Sequence, residues 1–113
     1  YGTFPRKIRR YAMERRNLSV ESAIRSATSL PAQILGLRTR GLLREGFYAD
    51  LVVLDLKTLR DRATFFEPHQ YAEGIKHVFV SGISVVENDV MTGRLPGTII
   101  TPKEGKKAPE TLP

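Results

Sequence analysis

The chain has 113 residues, 41% of them hydrophobic and 27% charged, with a formal net charge of +6 and no cysteine. That is the composition of an ordinary globular protein with room for one modest core. The missing thiols exclude disulfides, thiolate metal sites and a cysteine nucleophile, and they suit a cytoplasmic protein.

No apolar run approaches the roughly 20 residues that a membrane helix needs. The opening "YGTFPRKIRR" has neither the apolar centre of a signal peptide nor an initiator Met, so a piece of a longer protein is expected. The charge is lopsided. Residues 1–45 carry ten Lys and Arg against Glu14, Glu21 and Glu45, which is +7 and leaves −1 for the remainder. Any affinity for nucleic acid must therefore rest on the first helices.

Thr3 and Pro5 mark a helix start, a capping hydroxyl followed by a proline in the first turn. Phe4, Ile8, Tyr11 and Ala12 then repeat at helical spacing, with arginines opposite and Asn17 as the stop. Ser19 caps a second helix, whose stripe is Val20, Ala23, Ile24 and Ala27. Ser29 caps a short third one, with Pro31 in its first turn and Gly36 just past its end. From Arg38 the character changes. Residues 49–55 are an apolar run of strand length, fitting a strand covered on both faces. Residues 57–74 show no clean period.

Residues 75–80 and 83–87 are two β-rich runs joined by Ser81 and Gly82, a two-residue hairpin. Ile75, His77 and Phe79 share one strand face, and Lys76, Val78 and Val80 the other. Asn88 and Asp89 form a second turn, Pro96 and Gly97 a third, and residues 98–101 a further strand. Residues 102–113 are a polar tail with little to bury, expected to be extended or mobile. Helices first and strands second, without alternation, give an α+β fold. Three striped helices and a few short strands do not complete one another, so an incomplete fold is expected if the chain stands alone.

Chemistry is sparse. His69 and His77 are eight residues apart with no third ligand at a recognisable offset, so no metal site is read. Asp50 and Asp55 flank the apolar run at an odd separation, which turns them to opposite strand faces. They cannot form a facing acid/base pair, and they read as strand-end groups bonding turn amides. Nucleophile-elbow and phosphate-loop patterns are both missing. The basic helix "PRKIRRYAMERR" could touch phosphates, with Tyr11 stacking on a base, but no nucleic-acid-binding motif accompanies it. Nucleic-acid binding and a stand-alone β-rich assembly module with open strand edges stay as alternative readings.

Several stretches, taken together, resemble one family. "SATSLPAQILGLRTRGLLREGFYADLVVLD" and "GIKHVFVSGISVVENDVMTGRLPG" are similar to the C-terminal end of amidohydrolase-superfamily enzymes. "YGTFPR", "DRATF" and the "PHQY" of residues 68–71 narrow the likeness to the N-acyl-D-amino-acid deacylases, or D-aminoacylases. The resemblance covers residues 1 to about 101. It implies a metal-dependent hydrolase of N-acyl-D-amino-acid amides, with zinc in a (β/α)8 barrel beside a small composite β-sandwich.

On that plan residues 1–37 are the last barrel helices and residues 38–101 the C-terminal half of the sandwich. The partners are then the rest of the barrel and the N-terminal sandwich strands, with homo-oligomers possible through open strand edges. None of the family's metal ligands maps onto this sequence, so no catalytic or metal residue is assigned and the chain alone is expected to be inactive and to bind no cofactor. The general-base Asp of the resemblance lies just before Tyr1. Tyr1, Gly2 and Phe4 follow it and become candidates for the substrate mouth.

Overall fold

A computed structural model describes residues 1–100. They form a helical layer and a four-stranded antiparallel sheet, an α+β arrangement. The first helix starts as α1 (Thr3–Arg6) and continues directly as a π-helical segment, Lys7–Glu14. Its wide winding shows in the bond from Arg15 N–H to Arg10 O, 2.9 Å, an i→i+5 pairing. Gly2, not Thr3, occupies the N-cap position, and no side chain caps it. The predicted stripe is only half buried: Ile8 and Ala12 point inward, while Phe4 and Tyr11 stay exposed. Within the π segment, more than four residues per turn keep Ile8 and Ala12 aligned and rotate Tyr11 away, whereas Phe4 lies in the α-helical turn before it.

Helix α2 (Val20–Ala27) is capped as expected, Ser19 Oγ accepting from Ser22 N–H at 3.1 Å. Helix α3 (Ser29–Ile34) differs in its start. Thr28 stands at the N-cap with no side-chain bond, because its hydroxyl donates back to Ile24 O at 2.8 Å, and Ser29 is already helical and buried. The end matches the expectation, with Gly36 in the left-handed region and Leu37 N–H bonded to Ala32 O at 2.8 Å.

The sheet is a meander in the order β1 (Leu51–Leu54), β2 (Ile75–Val80), β3 (Ile83–Glu87) and β4 (Val90–Met91). Both tight turns are two-residue hairpins with positive φ at both positions, Ser81 and Gly82, then Asn88 and Asp89. That geometry matches the twist of the strands. Three expectations are corrected here. β1 is shorter than residues 49–55, and its central Val52 and Val53 are 56% and 46% exposed, so it is not covered on both faces. Residues 96–97 form no turn and residues 98–100 no strand. Position 101 and the 102–113 tail lie outside the described residues.

The layers meet along one seam. Leu59 is the largest fully buried side chain, at 0% exposure, and packs with Ile8, Ala12 and Ala23, flanked by Leu54 and Ile75. A turn sets Leu59 there. Asp55 O accepts Leu59 N–H at 2.8 Å, Asp55 Oδ1 accepts Lys57 N–H at 3.0 Å, and Gly74 O accepts Asp55 N–H at 2.8 Å. Beyond this seam, large apolar side chains such as Leu43, Phe65, Phe66 and Leu95 face solvent. The radius of gyration, 16.3 Å, exceeds the about 13 Å of a 100-residue domain. A core this thin leaves both layers with an uncovered side.

Candidate functional site

Three segments far apart in sequence converge at one end of the molecule: residues 1–7, residues 61–63 and residues 68–71. They surround an open cavity of about 470 Å³, lined by Tyr1, Gly2, Arg6, Lys7, Asp61 and Pro68 among others. Its centre is polar. Asp61, with a side chain only 7% exposed, takes Arg6 Nη2 at 2.8 Å on Oδ2 and Ala63 N–H at 2.8 Å on Oδ1. Arg6 also reaches Ala63 O at 3.4 Å, which closes a three-membered ring of contacts.

Gly2 is buried directly on this carboxylate, and a Cβ there would stand 1.9 Å from Asp61 Oδ1. Only glycine lets the backbone lie so close. Tyr1 next to it is 77% exposed and stacks at the rim, its ring 5.3 Å from His69 and 6.3 Å from Tyr71.

Of the three candidate mouth residues, the fold thus brings Tyr1 and Gly2 to this cavity. Phe4 sits on α1 at 62% exposure and does not line it. Sequence reasoning missed Arg6 and Asp61 as a pair. The signal was present in "GTFPR" and "DRATF", but their 55-residue separation hides the contact.

The remaining candidates are structural. Asp50 accepts Ser81 N–H at 2.9 Å and pairs with Arg40, whose guanidinium lies 4.0 Å from the Tyr48 ring centroid. Asp55 holds the turn described above, and the Lys57 amide pulls its pKa below the ordinary carboxylate value. His77 stacks on Phe79 along one face of β2, with ring centroids 6.4 Å apart.

The donor set does not fit a metal. Among the described residues no group of three or more His, Asp or Glu side chains could hold one. Both Asp61 oxygens already accept hydrogen bonds, and His69 packs on a tyrosine ring. Several cations of the first helix are engaged, while Arg10 and Arg16 are exposed. Lys7 donates to Ser26 Oγ at 2.6 Å, Arg9 pairs with Glu14 at 2.8 Å, and Arg15 lies 5.5 Å over Tyr11.

Sheet, helical layer and converging motifs agree with what known proteins show. Residues 1–86 match the Amidohydrolase family, and the chain belongs to it. Its similar proteins include deacylases of N-acyl-D-amino acids, and also a 5-methylthioadenosine/S-adenosylhomocysteine deaminase from Halothermothrix orenii, 29% identical over 99 residues. N-acyl-D-aspartate deacylase from Alcaligenes xylosoxydans xylosoxydans is 41% identical over 102 residues, covering 90% of this chain and 20% of that protein.

The crystal structure of D-aminoacylase superposes with a TM-score of 0.80 at 41% identity, covering 83% of this chain and 20% of that one. N-acyl-D-glutamate deacylase from Bordetella bronchiseptica, solved with zinc and a phosphonate mimic of the tetrahedral intermediate, gives 0.73 at 42% identity, over 75% and 18%. The chain therefore spans about a fifth of the length of these relatives.

Proposed function

We propose that this chain is the C-terminal portion of a metal-dependent amidohydrolase that cleaves the amide bond of N-acyl-D-amino acids. The observation that carries the reading is the convergence of "YGTFPR", "DRATF" and "PHQY" on one cavity through the Gly2, Arg6 and Asp61 contacts. Identity of about 41% to deacylases along almost the whole chain supports the same assignment. In the complete enzyme residues 1–37 close the barrel, and residues 38–101 supply sandwich strands that pair with an N-terminal segment. That arrangement accounts for the uncovered faces of β1 and of the helices.

The metal, zinc in this reading, is held by side chains outside this chain; it supplies Lewis-acid polarisation of the amide carbonyl and an activated water. This chain's own part is scaffold and the rim of the substrate mouth, with Tyr1 and Gly2 facing the cavity and Phe4 beside it. No helix among the described residues is long and apolar enough to cross a membrane, and we place the enzyme in the cytoplasm.

The test is hydrolysis by the complete gene product, purified with zinc, of paired N-acetyl-D- and N-acetyl-L-amino acids, including methionine, aspartate and glutamate. Release of free amino acid from the D series alone is the expected result. Turnover of the L series, or of neither, would sink the assignment. Open edges at β1 and β4 favour a second reading, association between copies. A monomer by light scattering at high concentration argues against it.

A further inference from the structure

The geometry points to Asp61 as a positioning residue that latches residues 2–6 to the 61–63 segment and so sets Tyr1 beside the cavity. The inference rests on the reading of residues 1–4 as substrate mouth. Three features carry it. A carboxylate this buried must have its charge answered, and Arg6 and the Ala63 amide do so from two different segments. The latch also acts by shape, because Gly2 lies flat on the carboxylate where any side chain would collide.

The residue so held is a ring at the cavity. Tyr1 is exposed among the described residues, lines the cavity with Arg6 and Asp61, and sets its ring 5.3 Å from His69 and 6.3 Å from Tyr71. A buried carboxylate held by a half-exposed arginine, with a glycine packed against it, fixes one ring where a ligand entering the cavity would meet it. Displacing such a group by a fraction of an ångström weakens binding without touching the reacting atoms.

Asp61→Asn is the diagnostic variant, since the amide keeps the shape and one acceptor but loses the charge-assisted bond to Arg6. In the complete gene product two readouts apply: hydrogen exchange of peptides covering residues 2–6, and steady-state hydrolysis of the best N-acetyl-D-amino acid.

Exchange in residues 2–6 is expected to rise about tenfold, with residues 75–87 unchanged. KM is expected to rise about five- to tenfold with kcat within about twofold, and Asp61→Asn is expected to add nothing to Tyr1→Ala. Loss of folded protein alone would lower apparent kcat and leave KM where it was. Should Asp61→Asn fold poorly, Gly2→Ala expels the carboxylate from the other side and is expected to give the same KM shift.

Unchanged exchange overturns the latch. Raised exchange with unchanged KM reduces it to a structural tie. A wild-type enzyme that hydrolyses no N-acyl-D-amino acid removes the deacylase reading and the positioning role with it, while exchange still decides the latch.

Discussion

Gly74→Ala tests how the seam between helices and sheet is built. Gly74 has φ 86°, and a Cβ there would lie 2.4 Å from Leu59 Cα, 2.5 Å from Leu59 N and 2.9 Å from Thr58 C. All three are backbone atoms, so no side chain can swing aside. Nor can the backbone yield cheaply, since Leu59 N–H is bonded to Asp55 O and Asp55 N–H to Gly74 O.

Gly46 is a matched control, with φ 81° and nothing within 4 Å of its Cβ position. Alanine in the left-handed region costs about 1–2 kcal/mol at either site. Overpacking at Gly74 adds about 1–3 kcal/mol, for a total of about 2–5 kcal/mol there. Native-state hydrogen exchange at the Leu59 and Ile75 amides of the complete protein reads the local opening free energy. Gly74→Ala is expected to lower it by at least about 1 kcal/mol more than Gly46→Ala does. Equal losses at the two sites would refute the close approach of residue 74 to residue 59.

Leu59→Ala removes three buried carbons, about 2.4 kcal/mol at about 0.8 each, and the cavity raises the loss to about 3–5 kcal/mol; urea unfolding in which this variant matches wild type would contradict the core described here. Thermal stability against pH carries a second signature. Asp55 and Glu73 have pKa values below their ordinary 3.8 and 4.5, owing to the Lys57 amide and to Arg60. Their contribution is present above those ordinary values and lost as pH falls through the lowered folded ones. Lys76, raised above 10.5 by its bond to Asp89, contributes below 10.5 and stops contributing as pH climbs past its folded value. The sheet is therefore expected to loosen below about pH 4 and above about pH 10.5. A melting temperature that rises on acidification through that lower range would be the wrong sign.

The parts of this structure that were legible in the sequence are those decided by neighbours. Ser19 announces α2 because its cap bond reaches only three residues on. Ser81 with Gly82 and Asn88 with Asp89 announce hairpins because Gly82, Asn88 and Asp89 tolerate positive φ. The illegible parts depend on distant partners. Leu59 sits in a stretch without apolar period, and its burial follows from a turn at Asp55 locked by Gly74.

The apolar run at Val52 and Val53 was expected to be covered, since composition reports that a strand is made for burial and not where the covering layer lies. Within the described residues both valines stay exposed. At the cavity, "GTFPR" and "DRATF" were visible as motifs, yet the Arg6–Asp61 pair exists only through the fold. Tyr1, Gly2 and Phe4 were candidates through resemblance alone, and of these Phe4 lies off the cavity because the first helix turns it to solvent.

The central proposal is that this chain frames a metal-dependent deacylase without holding its metal. Zinc per chain, by elemental analysis of the complete gene product, tests it most directly when wild type is compared with a variant carrying both His69→Gln and His77→Gln. The expected result is the same zinc content in the two proteins, since neither histidine belongs to a group of three or more ligands among the described residues and a closed zinc site needs about three or four. Zinc lost from the variant while it remains folded would place the metal on this chain and contradict the account.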